Sequence, residues 1–223
     1  MKSVKERLQD AKIYCVTSEL SLDEYPSKVE AVCRGGADIV QLRNKSLSTR
    51  AFLETAKSLS KVCRKYGTIF IVNDRLDVAL MCGADGVHLG QEDLPIEAAR
   101  QLANRAGAGA GAGASADAGE HFVIGCSTHS LAQALKAQQQ GADYLGCGPI
   151  YATPTKPTYP KVGLELVNEY RKNIAIPFVA IGGITAENIV SVKDAGARCA
   201  AVVRAAFGAK DIEVAVQQLK EKM

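Results

Sequence analysis

Two aspartates set the chemistry available to this sequence. Asp74 follows the apolar run Ile69-Phe70-Ile71-Val72 and Asn73, and Asp93 follows a second apolar run, 86–89, and Gly90-Gln91-Glu92. Carboxylate oxygens are hard ligands, so two acids on one rim make a candidate site for a divalent cation. Cationic side chains stand at Arg43, Lys45 and Lys156, and exposed backbone amides are expected at Gly182-Gly183. Amides ahead of a helix attract anions. Carboxylates, cations and amides together suit a divalent metal bridging a polyphosphate. Blander readings stand beside this one. Asp74 could cap the helix that follows it, and Asp93, two residues before Pro95, could do the same. Arg43 and Lys45 alternate and could share one solvated strand end. His88, inside an apolar run, reads as a packed or hydrogen-bonded histidine rather than a ligand. His129 reads as the start of a helix.

Those residues need a scaffold that gathers them. Apolar runs predict strands at 12–17, 39–43, 69–72, 86–89, 122–125, 144–147, 178–181 and 199–203. Helical spacing predicts helices at 2–10, 26–35, 49–66, 75–81, 95–105, 130–140, 163–172, 185–195 and 210–222. Gly-Ala-Asp opens the strand at 36–38, 83–85 and 141–143, with Gly-Ala-Arg at 196–198. Each such glycine is expected to end the preceding helix in a left-handed cap. Eight alternations of strand and helix imply a parallel sheet, and units of this size suggest closure into a single (β/α)8 TIM barrel spanning 1–223. An open doubly wound sheet is the alternative, weakened by the lack of a GxGxxG after the first strand. In a barrel the loops after the strands build the functional face. Gln41, Asn73, Ser127, Thr153 and Thr155 all fall after predicted strands or near their ends, alongside the charged groups. The Gly-Ala segment at 106–119 carries no chemical groups and reads as a flexible surface loop on the opposite face.

Composition narrows the class. The chain has 223 residues and a net charge of +3, too little to argue for nucleic acid or a membrane surface. No run approaches a membrane span, and the charged amino terminus does not read as a signal peptide. Seven cysteines form no CxxC pair and no zinc spacing, and most sit in apolar runs. They read as small buried hydrophobes in a reducing, cytoplasmic compartment. Homo-oligomer formation stays open.

In order along the chain, QLRNK, VND, GVHLGQED, IGCSTHS, GADYLGCGPIYATPTK and AIGGI resemble the thiamine-phosphate synthase (thiamine-phosphate pyrophosphorylase) family. The resemblance runs from the first strand to the eighth. It implies a TIM barrel that joins 4-amino-2-methyl-5-hydroxymethylpyrimidine diphosphate to 4-methyl-5-(2-phosphoethyl)thiazole, with Mg2+ required. It further implies that Gln41 hydrogen-bonds the pyrimidine and that Arg43, Lys45, Asn73 and Lys156 bind the diphosphate. Asp74 and Asp93 would hold Mg2+, and Ser127 would stand near the pyrimidine and diphosphate. Thr153, Thr155 and the amide of Gly183 would hold the thiazole phosphate. Arg43, Lys45, Lys156 and Ser127 are the residues expected to act on the reaction itself. Two features depart from the family: Arg204 replaces the usual serine after the eighth strand, and the Gly-Ala segment is extra. The rival readings are a thiazole tautomerase-like isomerase on the same barrel, and a non-catalytic barrel that binds a phosphate ligand.

Overall fold

The computed structural model describes residues 2–109, 122–153 and 160–223. Eight parallel strands close into a barrel in sequence order. They are β1 (Ile13–Val16), β2 (Ile39–Leu42), β3 (Ile69–Asn73), β4 (Gly86–Leu89), β5 (Val123–Thr128), β6 (Tyr144–Cys147), β7 (Phe178–Ile181) and β8 (Cys199–Val202). β1 pairs with β8, which seals the cylinder. Around it run α2 (Glu24–Arg34), α3 (Thr49–Tyr66), α4 (Leu76–Cys82), α5 (Ile96–Gly109), α6 (Leu131–Gln139), α7 (Gly163–Asn173), α8 (Ile189–Asp194), α9 (Arg204–Phe207) and α10 (Ile212–Lys222), preceded by α1 (Val4–Asp10). The chain is therefore a (β/α)8 barrel, as the alternation of periods predicts.

The pleat divides the strand residues into two cores. Outward residues such as Val40, Leu42, Phe70, Val72, Val87 and Leu145 pack against the helices. Inward residues Tyr14, Val16, Ile39, Ile69, Ile71, Val123, Tyr144, Val179, Cys199 and Ala201 fill the cylinder. Leu8 and Ala11, from α1 and its end, join that inner cluster, so α1 closes the N-terminal end of the barrel. A capping box between Ser3 and Glu6 fixes where α1 begins.

The repeated Gly-Ala-Asp does two jobs. Gly36, Gly83, Gly141 and Gly196 all have left-handed φ, as expected of helix ends. The aspartate then acts as a staple. Asp38 accepts from the amides of Lys12 and Ile13 at 2.9 and 3.0 Å, Asp85 from Phe70 at 2.7 Å and Asp143 from Ile124 at 2.8 Å. β2, β4 and β6 thereby each fasten the start of the odd strand before them; β8, preceded by Arg198, carries no such aspartate. Salt bridges hold two of the staples: Lys220 lies 2.7 Å from Asp38, and Lys5 and Arg100 both pair with Asp143.

Three boundaries differ from expectation. β5 continues through Cys126-Ser127-Thr128, which pair with Leu145, Gly146 and Cys147 of β6, so Ser127 is a strand residue rather than a loop residue. α5 extends to Gly109, into the segment expected to be loop; residues 110–119 lie outside the described residues. α8 starts only at Ile189, since the Asn188 side chain takes the Thr185 amide at 2.9 Å and forms a turn first. All seven cysteines are free thiols, six of them buried. Among the described residues no helix is long and apolar enough to cross a membrane.

Candidate active site

The C-terminal end of the barrel opens into a cavity of about 490 Å³. Gln41, Arg43, Asn73, Ser127, Thr153 and Gly183, all expected site residues, line it. Arg204, an exposed residue at the start of α9, lines it as well. Thr155 and Lys156 lie outside the described residues.

At the end of β2, Thr17 grips the Arg43 backbone from both sides, accepting from its amide at 2.9 Å and donating to its carbonyl at 3.0 Å. Asn44 then folds the chain: its carbonyl oxygen accepts from the amides of Ser46 and Leu47, each at 2.8 Å, and its amide donates to Tyr25 at 2.9 Å. This turn lets Lys45 lean back across the rim, where its ammonium lies 3.2 Å from Asp74.

Asp74 ends β3 in a left-handed conformation, φ 61°, which aspartate tolerates better than most residues. Its amide donates to the His88 carbonyl at 2.9 Å. The structure does not give it the helix-capping role considered above. The N-cap of α4 is Arg75, with no side-chain hydrogen bond to the helix. Asp93 likewise turns back rather than forward: its carboxylate accepts from the Gly90 amide at 2.6 Å and closes the Gly90–Asp93 turn. With both acids released from capping, they face one another. Partial burial, and then the hydrogen bond and negative charge of Asp93, raise the Asp74 carboxyl above the usual carboxylate range, against the opposing pull of Lys45. Lys45, Asp74 and Asp93 thus form one charged group on the rim beside Asn73, outside the cavity lining itself.

The opposite wall comes from β7 and β8. Gly182 and Gly183 both have positive φ. A side chain at Gly183 would start 2.8 Å from Tyr151 Cβ and 2.9 Å from the Ala152 carbonyl, so only glycine lets the loop after β6 lie on this turn. The amides of Ile150 and Tyr151 tie that loop to the carbonyls of Ile181 and Gly182 at 2.9 and 3.0 Å. The late start of α8 means that the glycine pair does not lead straight into a helix, which removes the dipole part of the phosphate-cradle argument.

Beneath these groups the floor is polar in a way that reading strands one at a time missed. Tyr14 and Tyr144 are buried inside the barrel, with His88 between Tyr144 and Ser127. His88 is hydrogen-bonded, as expected of it. The missed signal was glycine inside strands. A Cβ at Gly125 would lie 2.2 Å from the Tyr144 ring and 2.6 Å from His88 Nδ1, so this glycine makes room for both. Gln91, which follows β4, donates from its amide nitrogen to the Ser127 carbonyl at 2.6 Å and ties the β4 loop to β5.

The chain matches the family model described as thiamine monophosphate synthase over residues 13–206. It is 46% identical over 211 residues to a thiamine-phosphate synthase of Gloeobacter violaceus, covering 93% of this chain and 56% of that protein. It is 42% identical over 218 residues to one of Pelotomaculum thermopropionicum, covering 96% of this chain and 92% of that protein. The chain therefore spans little more than half the length of the first relative and nearly all of the second. Among solved structures it is similar to a thiamine phosphate pyrophosphorylase from Pyrococcus furiosus, with a TM-score of 0.81 and 35% identity, covering 98% of this chain and 96% of that one.

Proposed function

This chain belongs to the thiamine monophosphate synthase family, and from that premise we propose that it joins an aminopyrimidine diphosphate to a thiazole phosphate, giving thiamine phosphate and diphosphate. The observation that carries the reading is the charged rim beside a polar-floored cavity: Lys45, Asp74 and Asp93 stand next to Asn73 and Arg43. Such a rim suits a departing polyphosphate, and the cavity suits a flat heteroaromatic ring.

The roles follow from charge. Arg43, Lys45 and Lys156 neutralise the diphosphate as its bond to the pyrimidine methylene breaks. The electrons of that bond leave with the diphosphate, and the amino-substituted ring stabilises the methylene cation left behind. Gln41 and Ser127 hold the ring. Thr153, Thr155 and Gly183 hold the thiazole phosphate, so that the thiazole nitrogen attacks from close range. Arg204 adds a guanidinium to that end and suits bidentate contact with a phosphate.

The acid pair fits Mg2+. Among the described residues no group of three or more histidine, cysteine or acidic residues could hold a metal. Two carboxylates suffice for an ion that takes its remaining ligands from phosphate oxygens and water. The pairing of Asp74 with Asp93 supports this, since a cation held by these acids would relieve their repulsion. The chemistry such an ion supplies when bound is charge neutralisation on the diphosphate oxygens. The test is direct. Purified protein given both substrates and Mg2+ is expected to release diphosphate and form thiamine phosphate; release of neither overturns the reading.

A further inference from the structure

A single hydrogen-bonded chain crosses the barrel floor. Gln41 Nε2 donates to Tyr14 Oη at 2.6 Å, and Tyr14 Oη meets Tyr144 Oη at 3.0 Å. Tyr144 Oη meets His88 Nδ1 at 3.1 Å, and His88 Nε2 meets Ser127 Oγ at 2.9 Å. Both ends, Gln41 and Ser127, line the cavity. Tyr14 and Tyr144 are 2% and 0% exposed, and His88 between Tyr144 and Ser127 is half-buried against the cavity. Burial raises both phenols far above their usual pKa, so each keeps one proton and gives one hydrogen bond along the chain.

With a neutral imidazole and each interior proton used within it, the chain has two self-consistent directions. In the first, Gln41 donates to Tyr14, Tyr14 to Tyr144, Tyr144 to His88 Nδ1, and His88 Nε2–H to Ser127. Gln41 then shows its carbonyl oxygen to the cavity, and Ser127 is free to donate its hydroxyl. In the second, every bond reverses and the imidazole carries its proton on Nδ1. Gln41 then shows a donor and Ser127 an acceptor. The proton count is the same in both. The two ends therefore cannot be set independently: an acceptor at Gln41 goes with a donor at Ser127.

We infer that Tyr14, Tyr144 and His88 are positioning residues that select an amino-substituted pyrimidine over its oxo counterpart by coupling the hydrogen-bonding polarity of Gln41 to that of Ser127. This rests on the proposed synthase reading for the identity of the ligand. An aminopyrimidine brings an N–H donor and a ring-nitrogen acceptor, which match the first direction at both ends. An oxo analogue brings a carbonyl and a lactam N–H, so its carbonyl meets the Gln41 carbonyl and mispairs there unless the whole chain reverses away from the direction in which Gln41 donates to Tyr14. Leaving buried polar groups unpaired is a strong basis for rejection.

The test compares binding of two probes by calorimetry: 4-amino-2-methyl-5-hydroxymethylpyrimidine and its 4-oxo analogue. Turnover with both substrates is run in parallel and judges the synthase reading by itself. The wild type is expected to favour the amino probe by about a hundredfold. Tyr144→Phe removes one hydroxyl with little change in shape and cuts the chain in the middle. Each end then reorients alone, and the preference is expected to fall to about tenfold or less, in part through tighter binding of the oxo probe. General damage to the site would not produce that gain. Tyr14→Phe is expected to act the same way, and thermal melts verify that both variants fold. Nitrogen NMR of the amino-probe complex is expected to show His88 protonated at Nε2. An unchanged preference in both variants, His88 protonated at Nδ1 in that complex, or no measurable binding of either probe to wild type overturns the inference. A wild type that binds with the stated preference but makes no thiamine phosphate overturns the synthase reading and leaves the coupling standing.

Discussion

Asp74 and Asp93 carried a double meaning in the sequence, as cation ligands or as helix caps. Each cap hypothesis was reasonable, because aspartate before a helix usually serves that end. The left-handed φ of Asp74 and the backward turn of Asp93 decide the matter against capping. Replacing Asp93 by alanine should raise the Mg2+ concentration needed for half-maximal turnover about tenfold or more, since removing one of two charged ligands costs more than about 1.4 kcal/mol. An unchanged metal titration would take Asp93 out of the metal site. Arg204 is the residue expected to depart from the pattern of the resembling family. It lines the cavity at the β7–β8 wall, so Arg204→Ala should weaken KM for the thiazole phosphate about tenfold and leave KM for the pyrimidine diphosphate nearly unchanged. Equal changes in both constants would show that the guanidinium does not serve that subsite. Position at the ends of predicted strands, together with the family resemblance, singled out Gln41, Arg43, Asn73, Ser127, Thr153 and Gly183, a set that the fold does gather. Neither could reveal Tyr14 and Tyr144, since a tyrosine in a strand looks the same whether its hydroxyl is idle or bonded.

At the scale of elements, periodicity located all eight strands, because a buried parallel strand is a short apolar run bounded by turns. It failed at the end of β5. The polar letters Cys126-Ser127-Thr128-His129 resemble a loop, yet the barrel interior is polar near its mouth and the strand runs on to Thr128. It also missed the purpose of the third letter of Gly-Ala-Asp. The glycine is a local device and can be read locally; the aspartate bonds a neighbouring strand and needs the register to be known. Asp143 is the staple with the most partners. Asp143→Ala should cost about 2 kcal/mol, because the Ile124 amide and the Arg100 guanidinium both lose their acceptor. A fall in melting temperature with kcat intact would fit; a loss of activity without a loss of stability would contradict the staple role. Gly183→Ala tests the opposite end of the barrel. Its methyl has no room against Tyr151 and Ala152, so the loop after β6 must shift, and turnover should fall more than stability.

Across the whole molecule, chemistry and stability sit at opposite ends. The strand C-termini carry the cavity and the charged rim, while the N-termini carry the staples and α1. β5 begins on the stability side, and the segment 110–119 falls in sequence between the end of α5 and that strand. Shortening the segment should leave kcat and both KM values unchanged; a marked loss of turnover would show that it reaches the site. Leu8 is 4% exposed within the inner cluster, so Leu8→Ala should cost about 3 kcal/mol and lower the melting temperature without touching the chemistry. Closure by α1 also bears on the order of events in a catalytic cycle. Among the described residues, a cylinder plugged at its base opens at the C-terminal mouth, and what enters there enters in sequence. Gln41 is 4% exposed at the foot of the cavity, and Arg204 is exposed at its lip. The ring held by Gln41 must therefore arrive before the partner that settles near Arg204, which then shuts it in. Steady-state kinetics should be ordered, and an inert thiazole phosphate analogue should inhibit uncompetitively against the pyrimidine diphosphate. Competitive inhibition by that analogue would mean that either compound can enter first.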